Sequence, residues 1–198
     1  MSQAWRDDGF VWAVAAKHGG WTCRQTGERR YVIEGECAAG AWNCRVEQDW
    51  TSEDGTSAEA EWCCPAFAVT EAQVREVLDS LRVGGTSGVR LPVPLFDVQE
   101  RTAQGFLRSL FSRPSEPELR VDDSAGIVDD GLRARLQGFP QAYNQAGRLQ
   151  QVRLGRAITG PAGLLVRTVD WWGSEAVLSH QIELGIEIAV RLRAAMGG

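Results

Sequence analysis

The fold is decided by residues 21–64, which read WTCRQTGERRYVIEGECAAGAWNCRVEQDWTSEDGTSAEAEWCC. Apolar and polar residues alternate along most of this stretch, and a period of two is typical of a half-buried antiparallel strand. Glycines and polar runs interrupt the alternation where turns are needed. The pattern therefore predicts a four-strand meander with strands at 21–26, 30–37, 41–48 and 58–64.

The middle hairpin of this meander carries the most specific pattern. Ile33 and Gly35 must face the same core as Trp42 and Cys44. Paired positions in the hairpin then add to an odd number, which requires a turn of two or four residues. We expect that turn around 39–41, where a glycine supplies a positive φ.

This pairing has two further consequences for the hairpin. Arg45 is predicted to lie opposite Glu34 or Glu36, which is a favourable cross-strand pair. If the turn is formed by Gly40 and Ala41, Cys37 lies opposite Cys44, within reach of a disulfide under oxidising conditions.

The cysteines are the first candidates for chemistry. Four of the five share the inner face of the meander beside three tryptophans, namely Cys23, Cys37, Cys44 and Cys64. A structural zinc site usually takes ligands in close pairs such as C-x2-C, and no such pair is present here. Free cysteine commonly packs as a small buried hydrophobe. Buried thiols are the favoured interpretation, and a metal site or a redox role remains the alternative.

The rest of the chain alternates helical and strand patterns. Helices are predicted over 3–18, from the capping box at Thr70 to 83, from Asp97 to Pro114, over 129–137 and over 174–196; strands are predicted over 118–122, 148–155 and 163–170. In the last helix, Gly185 interrupts a wide apolar stripe and indicates a close approach to a sheet.

Strand runs joined by tight turns, with segregated helices, predict an α+β fold. The expected architecture is an antiparallel meander sheet packed by helices, with the long C-terminal helix across a sheet. Three segments are predicted: 1–83 (helix, meander and helix), 84–118 (linker and helix) and 119–198 (strand, helix, two strands and helix). They form one compact unit or two intimate halves.

Composition excludes some classes of partner. The formal net charge is −5, and no Lys/Arg block is present, so nucleic acid is not an expected partner. No apolar run reaches the length of a membrane-spanning helix, and we expect none. The absence of a recognisable targeting segment and the odd number of cysteines predict a cytoplasmic protein.

Two other groups of residues are candidates for function. Trp171 and Trp172 end a predicted strand, so one ring is expected to face the core. The other ring either packs under the last helix, which is the favoured interpretation, or is exposed as a binding anchor. His180 and Glu183 lie at i and i+3 on the last helix; an ordinary solvated face is the favoured interpretation, and a metal site or a proton relay is the alternative. The acidic stretch 122–130 is expected to be a loop in which Asp129 or Asp130 caps the next helix.

The sequence resembles uncharacterised bacterial domain-of-unknown-function proteins in the spacing of its aromatic residues and glycines. The residues that carry the resemblance are Trp21, Tyr31-x-Ile33-x-Gly35 and Gly40-x-Trp42, together with a late strand at 119–122 and a long closing helix. This resemblance implies no catalytic residues. The order of helix, meander, helix, two strands and helix also resembles small acidic secretion-chaperone-type proteins. That likeness implies binding of protein segments.

Function is therefore expected to be non-catalytic. The leading hypothesis is a protein-binding or chaperone/adaptor-like module whose partner is another protein or a second copy of the chain in a homodimer. The alternative is an apolar small-molecule site between the sheet and the long helix. An enzyme using the cysteines or the His180–Glu183 pair is the third hypothesis. No cofactor is expected.

Overall fold

One antiparallel sheet crosses the molecule and carries all eight described strands. The computed structural model describes residues 9–52, 55–70, 72–73, 96–101, 118–143, 152–171 and 174–197. The strand order in the sheet is β1-β2-β3-β4-β8-β7-β5-β6. The strands, numbered along the chain, are β1 Thr22–Gly27, β2 Arg30–Cys37, β3 Gly40–Ser52, β4 Gly55–Cys64, β5 Phe96–Arg101, β6 Glu118–Asp123, β7 Arg153–Gly160 and β8 Gly163–Trp171.

All the described α-helices pack on one face of this sheet. They are α1 Gly9–Lys17, α2 Asp130–Tyr143 and α3 Glu175–Ala195. Their buried side chains join the inward side chains of the strands in a single hydrophobic core. The predicted α+β class, with a long C-terminal helix across the sheet, is confirmed. Within the described chain, no helix combines the length and apolarity needed to cross a membrane.

The β2–β3 hairpin confirms the predicted pairing of faces. Ile33 lies opposite Cys44 and Gly35 lies opposite Trp42, so the paired numbers add to an odd total. The turn contains two residues, 38–39, which is one of the two predicted lengths.

The register of this hairpin differs from the one that would join two cysteines. Cys37 pairs with Gly40, and Cys44 lies several pairs away along the strand, so the predicted opposition of these thiols is wrong. On β2, Arg45 lies opposite Val32 and not opposite Glu34 or Glu36, which also corrects the prediction; the glutamate opposite it is Glu61 on β4. The reason is local: Gly40 uses its positive φ of 128° at the first residue of β3, just after the turn and not within it.

Residues 96–101 correct another prediction. The sequence predicts a helix opening at Asp97, and the structure forms strand β5 there. Phe96 and Val98 are both buried, so the alternation of apolar residues outweighs the capping pattern. Two residues of β7 hold this strand in place. The Phe96 N–H donates to the Thr159 hydroxyl at 3.0 Å, and Asp97 accepts from Arg156.

Two element bounds in the last third also differ. Helix α2 continues to Tyr143, beyond the predicted end at 137. Burial of Phe139 on this extension explains the difference. Strand β7 runs to Gly160 and not to 155.

The predicted close approach at Gly185 is confirmed. Trp62 on β4 is fully buried, and a Cβ atom at position 185 would stand 2.6 Å from its Cε3 atom. The neighbouring Gln181 is also fully buried and donates from Nε2 to the carbonyl oxygens of Ala60 and Val166, at 2.8 and 3.0 Å. Helix α3 is thereby joined to β4 and β8 at the centre of the sheet.

The opposite face of the sheet carries paired charges. Arginines reach acidic residues on the same or neighbouring strands: Arg24–Glu34, Arg30–Glu47, Arg120–Asp122, Arg156–Asp97 and Arg167–Glu59. These side chains are largely exposed, so each pair contributes little stability. Within these pairs the arginine and carboxylate charges cancel.

Thr70 and Gln73 form the predicted capping contacts. The Gln73 N–H donates to the Thr70 hydroxyl at 3.3 Å, and the Thr70 N–H donates to the Gln73 side chain at 2.8 Å. The predicted helix beyond 73 lies outside the described residues, as do 3–8 of the first helix and 102–117 of the predicted central segment.

Candidate functional site

An open cleft forms at the end of the sheet where β1 begins. Pairing between β1 and β2 starts with Thr22 opposite Glu34, whereas β2 continues to Cys37 in pairing with β3. The chain enters β1 through Gly20, whose φ of +93° permits the sharp change of direction. Trp21 is therefore held beside the part of β2 that β1 leaves uncovered.

The cleft is bounded by a chain of aromatic rings. The His18 imidazole stacks on Trp21 with ring centroids 4.0 Å apart, and Trp21 meets Trp42 edge to face at 4.9 Å. Trp42 in turn lies 6.1 Å from Trp62 in the core. Such edge-to-face and stacked arrangements are the favourable geometries for aromatic pairs.

Gly35 allows the two indoles to converge. A Cβ atom at this position would stand 2.5 Å from Cζ2 of Trp42 and 2.9 Å from Cδ1 of Trp21. No side chain fits there, and glycine inside a strand commonly marks such a close approach. The Cε2 atom of Trp42, which is bonded to Nε1, lies 2.9 Å from the same point. The indole of Trp42 therefore lies directly on the backbone of Gly35.

We call this site the Trp21–Trp42 cleft. Its volume is about 650 Å³, within the range of sites that hold small ligands or one or two peptide side chains. Its walls come from the helix–strand connection, β2, β3 and the 3₁₀ turn after β4: Gly19, Gly20, Trp21, Thr22, Glu34, Gly35, Glu36, Ala41, Trp42, Asn43 and Pro65.

Three buried polar atoms around the cleft have no hydrogen-bond partner among the residues that the structure describes. They are Nε1 of Trp42, Oδ1 of Asn43 and Nε2 of His18. Trp42 is only 2% exposed, so its N–H is shielded from water and meets no acceptor. Buried polar groups are satisfied in the large majority of cases, and each exception calls for an explanation.

The charge of the cleft is negative. Glu34 and Glu36 both line it, and no lysine or arginine is among its lining residues. Glu34 lies 3.3 Å from Arg24, and both side chains are about half exposed. Glu36 makes no ion pair within the described part of the chain.

The cysteines of the inner face are distributed through the core and its margin. Cys44 and Cys64 are buried, whereas Cys23 and Cys37 are partly buried against the same core. All five cysteines are free thiols. Over the described ranges, no three His, Cys, Asp or Glu side chains converge in a way that could hold a metal ion.

The environment of the buried thiols opposes chemistry by a thiolate. Burial raises the pKa of Cys44 far above its usual range, and burial is also the largest cause of the raised pKa of Cys64. The thiols instead make weak contacts to carbonyl oxygens, from Cys37 to Gly40 at 3.5 Å and from Cys64 to Ala41 at 3.6 Å. The inner cysteines contribute packing.

His180 on α3 contacts residues near the end of α2. Its Nδ1 atom lies 3.1 Å from the hydroxyl of Tyr143, and its ring meets Phe139 edge to face at 4.8 Å. Burial lowers the pKa of His180, and the nearby Arg135 acts in the same direction. Glu183 is exposed and slightly offsets this lowering. The histidine therefore joins α3 to the end of α2, which the sequence analysis did not predict.

Trp171 and Trp172 cannot be compared with their predicted role. The backbone of Trp171 ends β8 opposite Ala58. Its side chain and the whole of Trp172 lie outside the described residues.

The acidic stretch 122–130 behaves as expected. Asp129 accepts from the Leu132 N–H at 2.7 Å and caps α2, and Arg191 of α3 pairs with it at 2.7 Å. The pKa of Asp129 is lowered chiefly by the Leu132 N–H. Asp123 accepts from the N–H of Val128 at 2.7 Å and closes the preceding loop. Asp123 and Asp129 therefore accept hydrogen bonds from backbone N–H groups of the loop and the helix.

Sequence reasoning missed the Trp21–Trp42 cleft. It placed Trp21, Gly35 and Trp42 on one face but treated that face as filled core. The available signal was a glycine between two glutamates, Glu34 and Glu36, in a strand otherwise rich in large apolar residues. A glycine there means that something approaches the backbone closely.

Comparison with protein-family models, with curated proteins and with solved structures gave no match.

Proposed function

We propose that this chain is a non-catalytic protein-binding module that takes a segment of a partner protein into the Trp21–Trp42 cleft. The observation that carries the proposal is an open, tryptophan-walled cleft with a buried, partnerless N–H on Trp42. Tryptophan is the residue most enriched where binding energy concentrates, because its large ring is apolar and its N–H can donate. A peptide supplies the missing acceptor in its backbone carbonyl groups.

The other candidate chemistries have less support. The buried cysteines have raised pKa values, and His180 contacts a tyrosine and a phenylalanine. Asp129 is used in helix capping and in an ion pair with Arg191. Binding of protein segments is also what the resemblance to secretion-chaperone-type proteins implies.

The alternative function is an apolar small-molecule site between the sheet and the long helix, and the described part of that interface is filled with side chains. That interface contains the fully buried Trp62 against Gly185, together with Leu178 and Ile182, which are also fully buried. The hypothesis stays a prediction from the sequence.

Selection from a random peptide display library tests the proposed function. Ala41 is exposed and lines the cleft, so Ala41→Trp fills the opening without disturbing the core. Gln25 is exposed on β1 and does not line the cleft, so Gln25→Trp is the matched control. We expect the unaltered protein and Gln25→Trp to enrich the same peptide families, and Ala41→Trp to enrich none of them. Equal enrichment on Ala41→Trp, or no enrichment on the unaltered protein, would contradict the proposal.

A further inference from the structure

We infer that the segment bound in the Trp21–Trp42 cleft is basic, with an arginine or lysine side chain beside Glu36 and a backbone carbonyl oxygen on Nε1 of Trp42. This inference rests on the proposed function and specifies its ligand. It follows from the charge of the cleft, the partnerless polar groups in its walls and the shape of its floor.

The acidic rim selects a cation. Glu34 and Glu36 stand on the same strand at i and i+2, on either side of the glycine floor, and both line the cleft. Neither a lysine nor an arginine is among the lining residues, so a bound cation would not meet a like charge from the walls. The whole chain carries a formal net charge of −5, which adds a favourable long-range field.

Asn43 adds an acceptor to this rim. Its Oδ1 atom is buried and accepts no hydrogen bond from the rest of the described chain. An ammonium or guanidinium group has only donors to offer. A cation entering between Glu36 and Asn43 therefore finds two kinds of acceptor, carboxylate and amide oxygens.

The tryptophans match the remainder of such a segment. Trp42 lines the cleft and is only 2% exposed, and its N–H has no acceptor among the described residues. Every peptide that carries a basic side chain also has backbone carbonyl oxygens close to it, and one of these can accept from the Trp42 N–H. The partly exposed Trp21 ring offers an apolar surface to the methylene stem of arginine or lysine, and its π system attracts the cation.

Arg24 competes for one of the two acids. It reaches Glu34 with its Nη2 atom at 3.3 Å, in a pair whose side chains are 59% and 45% exposed. Pairs this exposed are weak and exchange readily with solvent. Removal of Arg24 should therefore free Glu34 and strengthen binding of a basic ligand, an effect that a purely structural role for these residues would not produce.

Matched peptides on the full chain test the inference. The probes are acetyl-Gly-Arg-Gly-amide and the same peptide with citrulline, which has nearly the shape of arginine without its charge. We expect the arginine peptide to bind about tenfold more tightly by titration calorimetry or tryptophan fluorescence. The preference should fall at high salt and in Glu36→Gln, disappear in the double variant Glu34→Gln/Glu36→Gln, and grow in Arg24→Ala.

Glu28→Gln is the control, because it makes the same change of net charge in the β1–β2 turn, at the other end of the hairpin from the cleft. It should leave the arginine preference unchanged. Equal affinity for the arginine and citrulline peptides would overturn the inference and leave the proposed function standing. Equal effects of Glu28→Gln and Glu36→Gln, or no binding of either peptide while display-selected peptides bind through the cleft, would also overturn the inference alone.

Discussion

Gly185 of α3 lies directly against the Trp62 indole on β4, so close that a Cβ atom at 185 would stand 2.6 Å from Cε3 and 2.9 Å from Cε2 of the ring. This contact seats the long helix on the centre of the sheet. Trp42, which lines the Trp21–Trp42 cleft, lies 6.1 Å from the same indole.

We predict that Gly185→Ala destabilises the protein, although alanine favours a helix more than glycine does. The new methyl group would overlap a fully buried ring, and overpacking of this kind costs about 1–3 kcal/mol. Gly138→Ala in α2 is the matched control, since nothing lies within 4 Å of its added Cβ. It should stabilise by about 0.5–1 kcal/mol. Chemical unfolding measures both, and a stabilised Gly185→Ala would contradict the packing.

Loss of the polar group should lower the free energy of unfolding at Gln181 but not at Ser179. Gln181→Leu removes two hydrogen bonds to the buried carbonyls of Ala60 and Val166 and should cost about 1–3 kcal/mol. Ser179→Ala removes a buried hydroxyl that has no partner, so it should be neutral or slightly stabilising. The two free energies of unfolding, measured under one set of conditions, decide whether Gln181 joins the helix to the sheet. Equal costs would argue against it.

The environment of His180 predicts a pH dependence of stability. Its pKa in the folded state is lowered from an ordinary value near 6.5, by burial first and by Arg135 second, so the unfolded chain binds the proton more tightly. Stability is therefore full above pH about 6.5 and falls as the pH drops through the lowered folded-state pKa. His180→Gln should flatten this part of the curve, as measured by unfolding at a series of pH values. An unchanged slope in the variant would show that other groups cause it.

The thiols should divide by burial. All five are free, and Cys44 and Cys64 are fully buried. A thiol reagent added to native protein should therefore label at most the three partly buried cysteines Cys23, Cys37 and Cys63, and all five after unfolding. Rapid native labelling of Cys44, located by mass spectrometry, would contradict the packing of the inner face.

Local periodicity made much of the fold predictable. The alternation in 21–64 places Ile33, Gly35, Trp42 and Cys44 on one face, and the structure keeps that arrangement. Gly185 was identifiable because a glycine in an apolar stripe has few roles besides close packing. These features depend on neighbours in sequence.

Features that depend on distant neighbours were not predictable in the same way. Asp97 carries a convincing helix cap, yet contacts from Thr159 and Arg156 on β7 make residues 96–101 a strand. The cleft forms because β2 extends beyond the first pair that it makes with β1. The relative length of two strands does not follow from the alternation of apolar and polar residues. Tyr143 meets His180 only because α2 continues past Pro140.

The central claim is that a peptide enters the Trp21–Trp42 cleft and accepts the Trp42 N–H. The most direct test is the nitrogen–proton correlation NMR spectrum of the tryptophan indoles during titration with the arginine peptide, with the Trp42 signal assigned from Trp42→Phe. Trp62 is a built-in control, because its indole N–H is also buried and partnerless but lies under α3. We predict a saturable downfield shift of the Trp42 indole proton while the Trp62 signal stays in place. An unmoved Trp42 signal at a peptide concentration that saturates binding would contradict the account.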